Sequence, residues 1–211
     1  MTTSPLRRTG AIAAASLALT FGLAACGSDD SSSKDTTASE PKTSDTSNAG
    51  ADTFGAGCKL IPSDGKGSFN GMATDPVATA ASNNPLLKTL VAAVGVAGLG
   101  DTLNSADAIT VFAPTDDAFA KIPKKTLDGV LADKMLLTKI LTHHVVAGKL
   151  SPDQVAGEHK TLAGDMITVS GDAADGVTVD NTGGAATVLC GNIPTANATV
   201  YVVDTVLMPA S

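Results

Sequence analysis

Two adjacent histidines, His143 and His144, are where this chain could most readily do chemistry, because imidazoles bind metals and move protons near neutral pH. Read as part of a strand, neighbouring side chains face opposite ways, so the pair does not grip one ion together. His159 is the third histidine and completes no recognised metal spacing. The expectation is one hydrogen-bonded core histidine and one near the surface, with no metal bound. Asp116, Asp117, Asp172, Asp175, Asp180 and Asp204 raise the question of calcium. None stands in the alternating Asp/Asn/Gly loop that a calcium hand requires. Gly171-Asp172 and Asp175-Gly176 read as turn chemistry. A Ser-His-Asp arrangement lacks a Gly-x-Ser-x-Gly elbow. Gly65-Lys66-Gly67-Ser68 lacks the spacing of a phosphate loop. No enzyme activity and no cofactor are expected.

The cysteines are Cys26, Cys58 and Cys190. Cys26 follows Leu23-Ala24-Ala25, at the end of an apolar run that starts at Ala11 behind Arg7 and Arg8. Fifteen residues of helix reach about 22 Å, short of a bilayer core of about 30 Å. A basic start, a short apolar stretch and small residues at its end describe a secretory signal peptide over residues 1–25. The Leu-Ala-Ala-Cys end resembles a bacterial lipobox, in which the thiol is joined to a diacylglycerol; plain secretion after Ala25 is the alternative. In an exported chain the other two cysteines, Cys58 and Cys190, most simply form one disulfide. A reactive thiol or a metal ligand is the competing reading, and no CxxC or Cys/His spacing supports it.

Residues 26–57 comprise Cys26 and a stretch rich in Ser, Thr and Asp, with Phe54 as its one large apolar side chain. Such a segment buries too little to offset chain ordering, so it reads as a disordered tether. Its residues span roughly 30 Å as a coil. The whole chain has 211 residues and a formal net charge of −7. Cleavage after Ala25 removes two basic residues and no acidic ones, which takes the charge to −9. That balance excludes nucleic acid as a partner, since phosphate binding needs a basic face. It also leaves the acyl chains as the hold on an anionic membrane. With no Trp, one Tyr and five Phe, an aromatic stacking platform is not expected.

Residues 58–211 form the folded domain. Asp75-Pro76, Asn84-Pro85 and Ser151-Pro152 each pair a capping residue with Pro and so mark helix starts. Leu86, Leu87, Leu90, Val91 and Val94 share one helical face, ended by Gly95 and Gly98. A further helix is predicted over 133–141. Residues 108–113 read as a strand stopped by Pro114. From 166 onward, short β-branched runs alternate with Gly/Asn/Asp turns, which points to antiparallel strands. Helices first and strands later give an α+β class. Phe112 in the strand and Phe119 in the next helix should both enter the core, and Thr115 or Asp116 should cap that helix.

Thr110-Val111-Phe112-Ala113-Pro114-Thr115-Asp116-Asp117-Ala118-Phe119 resembles the first signature of the fasciclin domain. His143-His144-Val145-Val146-Ala147-Gly148 resembles its central Tyr-His motif, with His143 where the family usually has Tyr. The segment from Asn197 through Tyr201 to Pro209 resembles its closing signature. The resemblance covers about residues 70–211. It is nearest to the lipid-anchored and secreted fasciclin-like surface antigens of mycobacteria and related actinobacteria, which carry cysteines placed like Cys58 and Cys190. It implies a wedge-shaped β-sandwich with several helices packed at one side. It makes Phe112, Thr115, Phe119, His144 and Tyr201 structural motif residues. It also implies adhesion or protein contact at the extracytoplasmic face of the cell membrane, without catalysis. Animal members bind integrins through an Asp-Ile dipeptide, whose place here holds Asn192-Ile193. Only the general adhesive role carries over, to an unidentified protein, matrix or cell-surface partner, with Asn192, Ile193 and Pro194 as the candidate contact patch. The alternative is a carrier or receptor for a small apolar ligand, which requires a pocket of several hundred Å³.

Overall fold

The computed structural model describes residues 48–181 and 184–209. The expected signal peptide over residues 1–25, Cys26, and residues 27–47 of the expected tether lie outside the described residues.

Among the described residues, seven α-helices and seven strands alternate unevenly. The first four helices come in succession: α1 (Phe69–Ala73), α2 (Val77–Asn83), α3 (Lys88–Ala97) and α4 (Gly100–Ser105). Strand β1 (Ile109–Pro114) follows, then α5 (Asp116–Ala120), α6 (Lys124–Ala132) and α7 (Lys134–His143). The remaining strands are β2 (Val145–Ala147), β3 (Gly157–Lys160), β4 (Met166–Asp172), β5 (Gly176–Asn181), β6 (Gly184–Pro194) and β7 (Ala198–Val203). The class is α+β, as the order of elements implies.

The strands pair in the order β2-β1-β7-β6-β5-β4-β3. All neighbours are antiparallel except β1 and β7, which run parallel from Ile109↔Ala198 to Pro114↔Val203. The strands from residue 166 onward, β4 to β7, pair antiparallel as expected, and the parallel pair arises where β7 meets the earlier strand β1. The sheet curls until its edges touch. Val146 bridges Thr161, and the Leu162 N–H donates to the Val145 carbonyl at 2.8 Å. Two cores result. Phe112, Ile167, Val177, Tyr201 and Leu207 fill the inside of the curl. Val111, Ala113, Val200 and Val202 face outward and pack on the helices. The alternation of β1 and β7 residues between these cores explains why neither strand shows an apolar–polar rhythm: both faces are dry.

Long-range contacts decide several helix starts. The Val77 N–H donates to Asn197 Oδ1 at 2.9 Å, and the Ala78 N–H to Asn104 Oδ1 at 2.9 Å. These asparagines, not Asp75, satisfy the open end of α2. Asn84 accepts from the Leu86 N–H and shapes a turn, so α3 begins only at Lys88. Asp116 Oδ1 accepts from the Thr89 N–H at 2.7 Å near that start. Asp133, the first residue of the helix predicted over 133–141, is the cap of α7 and accepts from the Met135 and Leu136 N–H groups. Ser151-Pro152 opens a turn and no helix. The chain there must enter β3 within a few residues, through Gly157 at φ 121°.

Residues 48–57, which composition places in the tether, pack against the domain. Phe54, assigned by composition to the tether, pairs with Gly191 and lies edge-on to Tyr201, with ring centroids 6.2 Å apart. Glycine at 191 is what admits the ring: a Cβ there would sit 2.4 Å from Phe54 Cζ. A 3₁₀ turn, Ala56–Leu60, then carries Cys58 to its disulfide with Cys190.

Candidate functional site

A cleft of about 280 Å³ opens between α2, α3 and α4. Val77, Ala81, Val91, Val94 and Leu103 wall it, and Val111, Phe112 and His144 lie at its base. Thr79, Ser82, Asp101 and Asn104 supply its polar lining. Asn104 holds the walls together. Its Oδ1 accepts from α2, and its Nδ2 donates to the Thr79 hydroxyl at 3.2 Å. Asn197 ties the end of α4 to the same place, donating to the Leu103 and Ala106 carbonyls at 2.8 Å each.

The histidine pair sits at the end of a helix, not on a strand. His143 is the last residue of α7 and His144 is its C-cap. Helix α7 runs two residues past its predicted end because its buried face continues through Leu141 to these rings. Both histidines are buried, at 1% and 2% exposure, so neither is the surface residue expected. Each is held by the fold. His144 Nδ1 lies 2.8 Å from the Ile140 carbonyl, and its Nε2 accepts from the Leu207 N–H at 2.9 Å. With Nε2 accepting, Nδ1 carries the proton and the ring is neutral. Burial holds its pKa down, to about 4, aided by His143 and opposed by the Ile140 hydrogen bond. A ring with both nitrogens committed to backbone has none left for a metal or a substrate. His143 Nδ1 lies 2.7 Å from Asp165 Oδ1. Burial pushes the Asp165 carboxyl up, but hydrogen bonds from Thr161 and His143 outweigh it and hold its pKa low. His159 Nε2 lies 2.8 Å from the Val155 carbonyl.

The remaining predicted residues divide cleanly. Phe112 and Tyr201 are fully buried and tilted together, 5.7 Å apart. The Tyr201 hydroxyl donates to the Leu150 carbonyl at 2.9 Å, and burial raises its pKa. Thr115 caps α5 through the Ala118 N–H, and Phe119 packs in the helical core. Asp172 accepts from the Ala174 and Asp175 N–H groups in a tight turn, the turn chemistry expected of it. The patch at 192–194 does not present an apolar surface. Ile193 is 1% exposed and belongs to the helical core, because a bulge between Cys190 and Ile193 turns it inward. Asn192 takes the bulge's left-handed backbone at φ 59°, and its Nδ2 donates to the Asp52 carbonyl.

The family model described as the fasciclin domain matches residues 85–209. The chain belongs to the fasciclin domain family. It is 45% identical over 210 residues to cell surface glycolipoprotein MPB83 of Mycobacterium bovis, covering 92% of each chain. It is 48% identical over 169 residues to immunogenic protein MPB70 of the same species, covering 76% of this chain and 84% of that one. A solved FAS1 domain pair from the insect cell adhesion molecule fasciclin I is 23% identical, with a TM-score of 0.49, and the match covers 58% of this chain and 45% of that one.

In this fasciclin domain the signature residues build the two cores, while the cleft is walled by residues from α2, α3 and α4. Sequence reasoning assigned Val91 and Val94 wholly to a buried face and Gly95 to a helix end. Gly95 lies inside α3 and lines the cleft. An interior helical glycine beside an apolar face was the available signal.

Proposed function

We propose that this fasciclin domain is displayed on the extracytoplasmic face of the membrane by a lipid on Cys26. There it acts by binding a protein, matrix or cell-surface partner, without catalysis. The carrying observation is the likeness to a protein named as a cell surface glycolipoprotein over 92% of both chains. That match leaves out about 17 residues of this chain, so it reaches across Leu23–Cys26. The commitment of both His144 nitrogens to backbone adds support for a role without catalysis. Two acyl chains bury enough methylene to anchor a chain of net charge −9, which an anionic surface would otherwise repel.

The test is a deletion strain complemented with the intact chain or with Cys26→Ser. The intact chain should fractionate with membranes and restore cell attachment to protein-coated surfaces. The Cys26→Ser chain should appear in the medium and restore none. Attachment unchanged by deletion, or a Cys26→Ser chain retained in the membrane, would contradict the proposal. The cleft supports a second reading, carriage of a small apolar ligand, at the same cell surface.

A further inference from the structure

Two features of the α2–α3–α4 cleft are not explained by packing. The first is its lining. Apolar side chains wall about 280 Å³ of space, and the ionisable groups lining it are Asp101 and the neutral His144. The second is Gly95. Glycine is among the least favourable residues inside a helix. Here the backbone is ordinary helix, and a Cβ would meet nothing within 4 Å. Neither conformation nor crowding calls for glycine at this position. What a side chain there would fill is the cleft that Gly95 lines. Gly100, at the start of α4, lines the same cleft and likewise has nothing within 4 Å of its Cβ position.

We propose that this cleft binds a neutral aliphatic molecule, or the aliphatic end of one, of about ten to twelve carbons. The proposal rests on the carriage reading and deepens it. Size sets the carbon count: a cavity of roughly 150 Å³ holds one benzene, so about 280 Å³ holds on the order of twice as many carbons. Charge sets the head group. Among the described residues no Lys or Arg lines the cleft, so a carboxylate or phosphate would meet Asp101 with no cation there to offset it. A hydroxyl or ester end finds Thr79, Ser82 and Asp101 to bond. Asn104, bonded to Ala78 and Thr79, ties α2 to α4 and fixes the spacing of the cleft's walls, so the cleft is preformed.

The probe is 1-decanol, titrated into the whole chain carrying Cys26→Ser so that no detergent or anchor lipid competes. Methyl shifts of Val91, Val94 and Leu103 report binding. Decanol should shift them saturably, with a Kd on the order of 10 µM. Decanoate at pH 7 should bind at least tenfold more weakly. Gly95→Leu should weaken decanol at least tenfold without lowering the thermal midpoint. Gly95→Ala should raise that midpoint by about 2–4 °C, as a better helix residue does. No saturable shift up to the solubility of decanol, equal binding of decanoate, or unchanged affinity in Gly95→Leu would each overturn the proposal. Native mass spectrometry of the chain from its own cells separates the two levels. A small neutral passenger present equally in wild type and Gly95→Leu would sink the cleft and leave carriage standing. A bare wild-type chain that also ignores decanol would sink both.

Discussion

His144 links folding to pH. Its pKa is about 4 in the fold against 6.5 when free, so the unfolded chain takes up the proton first on acidification. The stability contributed by the neutral ring is therefore complete above pH 6.5 and lost as pH falls toward 4, by about 3 kcal/mol in all. Asp165, whose pKa is lowered in the fold, loses its contribution only below its ordinary value of 3.8, outside that window. Urea unfolding at pH 7, 5.5 and 4 should show the decline. His144→Gln should be less stable at pH 7 and nearly flat across the same range; an unaltered slope would remove His144 as the cause. Ile193 makes a sharper contrast with its neighbour. Ile193→Asp places a charge in the helical core and should cost several kcal/mol, enough to unfold the domain. Asn192→Ala, at a partly exposed bulge, should shift the thermal midpoint by only a few degrees. Circular dichroism melts of the two variants read both outcomes.

Element by element, what the sequence announced was local and what it concealed was long-range. The cap of α7 is readable because Asp133 serves N–H groups two and three residues on. Strand β1 and the closing strand β7 are readable because β-branched runs end at Pro114 and at Asp204. The start of α2 is not readable: its partners Asn104 and Asn197 are 26 and 120 residues away. The inward turn of Ile193 depends on a bulge against β7 that no local pattern announces. Of the candidate site, the histidines and cysteines stood out by type, but the cleft did not, since its walls read as ordinary core. The segment before Cys58 belongs with these concealed elements. Phe54 packs against the inner core and bridges Gly191, so a chain starting at residue 58 should melt well below one starting at residue 48. Scanning calorimetry of both decides it; equal midpoints would return residues 48–57 to the tether.

At the scale of the whole molecule, a disulfide among the described residues joins the 3₁₀ turn Ala56–Leu60 to the sixth strand. Cys58 and Cys190 are 132 residues apart. A loop of that length limits the unfolded chain by about 5 kcal/mol in the chain-entropy model. The double variant Cys58→Ser, Cys190→Ser should lose most of that in urea titration, and reduction should do the same to the wild type. Display outside the cell is the condition under which this bond forms and persists. The proposed display joins four parts of the chain: an apolar run ending at Cys26, a stretch rich in Ser, Thr and Asp, a disulfide-closed fasciclin domain, and a cleft facing solvent. The intact mass of the chain recovered from its own membrane fraction tests this most directly. The mass should correspond to a chain beginning at Cys26, increased by covalently attached acyl groups and lowered by two hydrogens for the Cys58–Cys190 bond. An unmodified chain still beginning at Met1, with both thiols reduced, would contradict it.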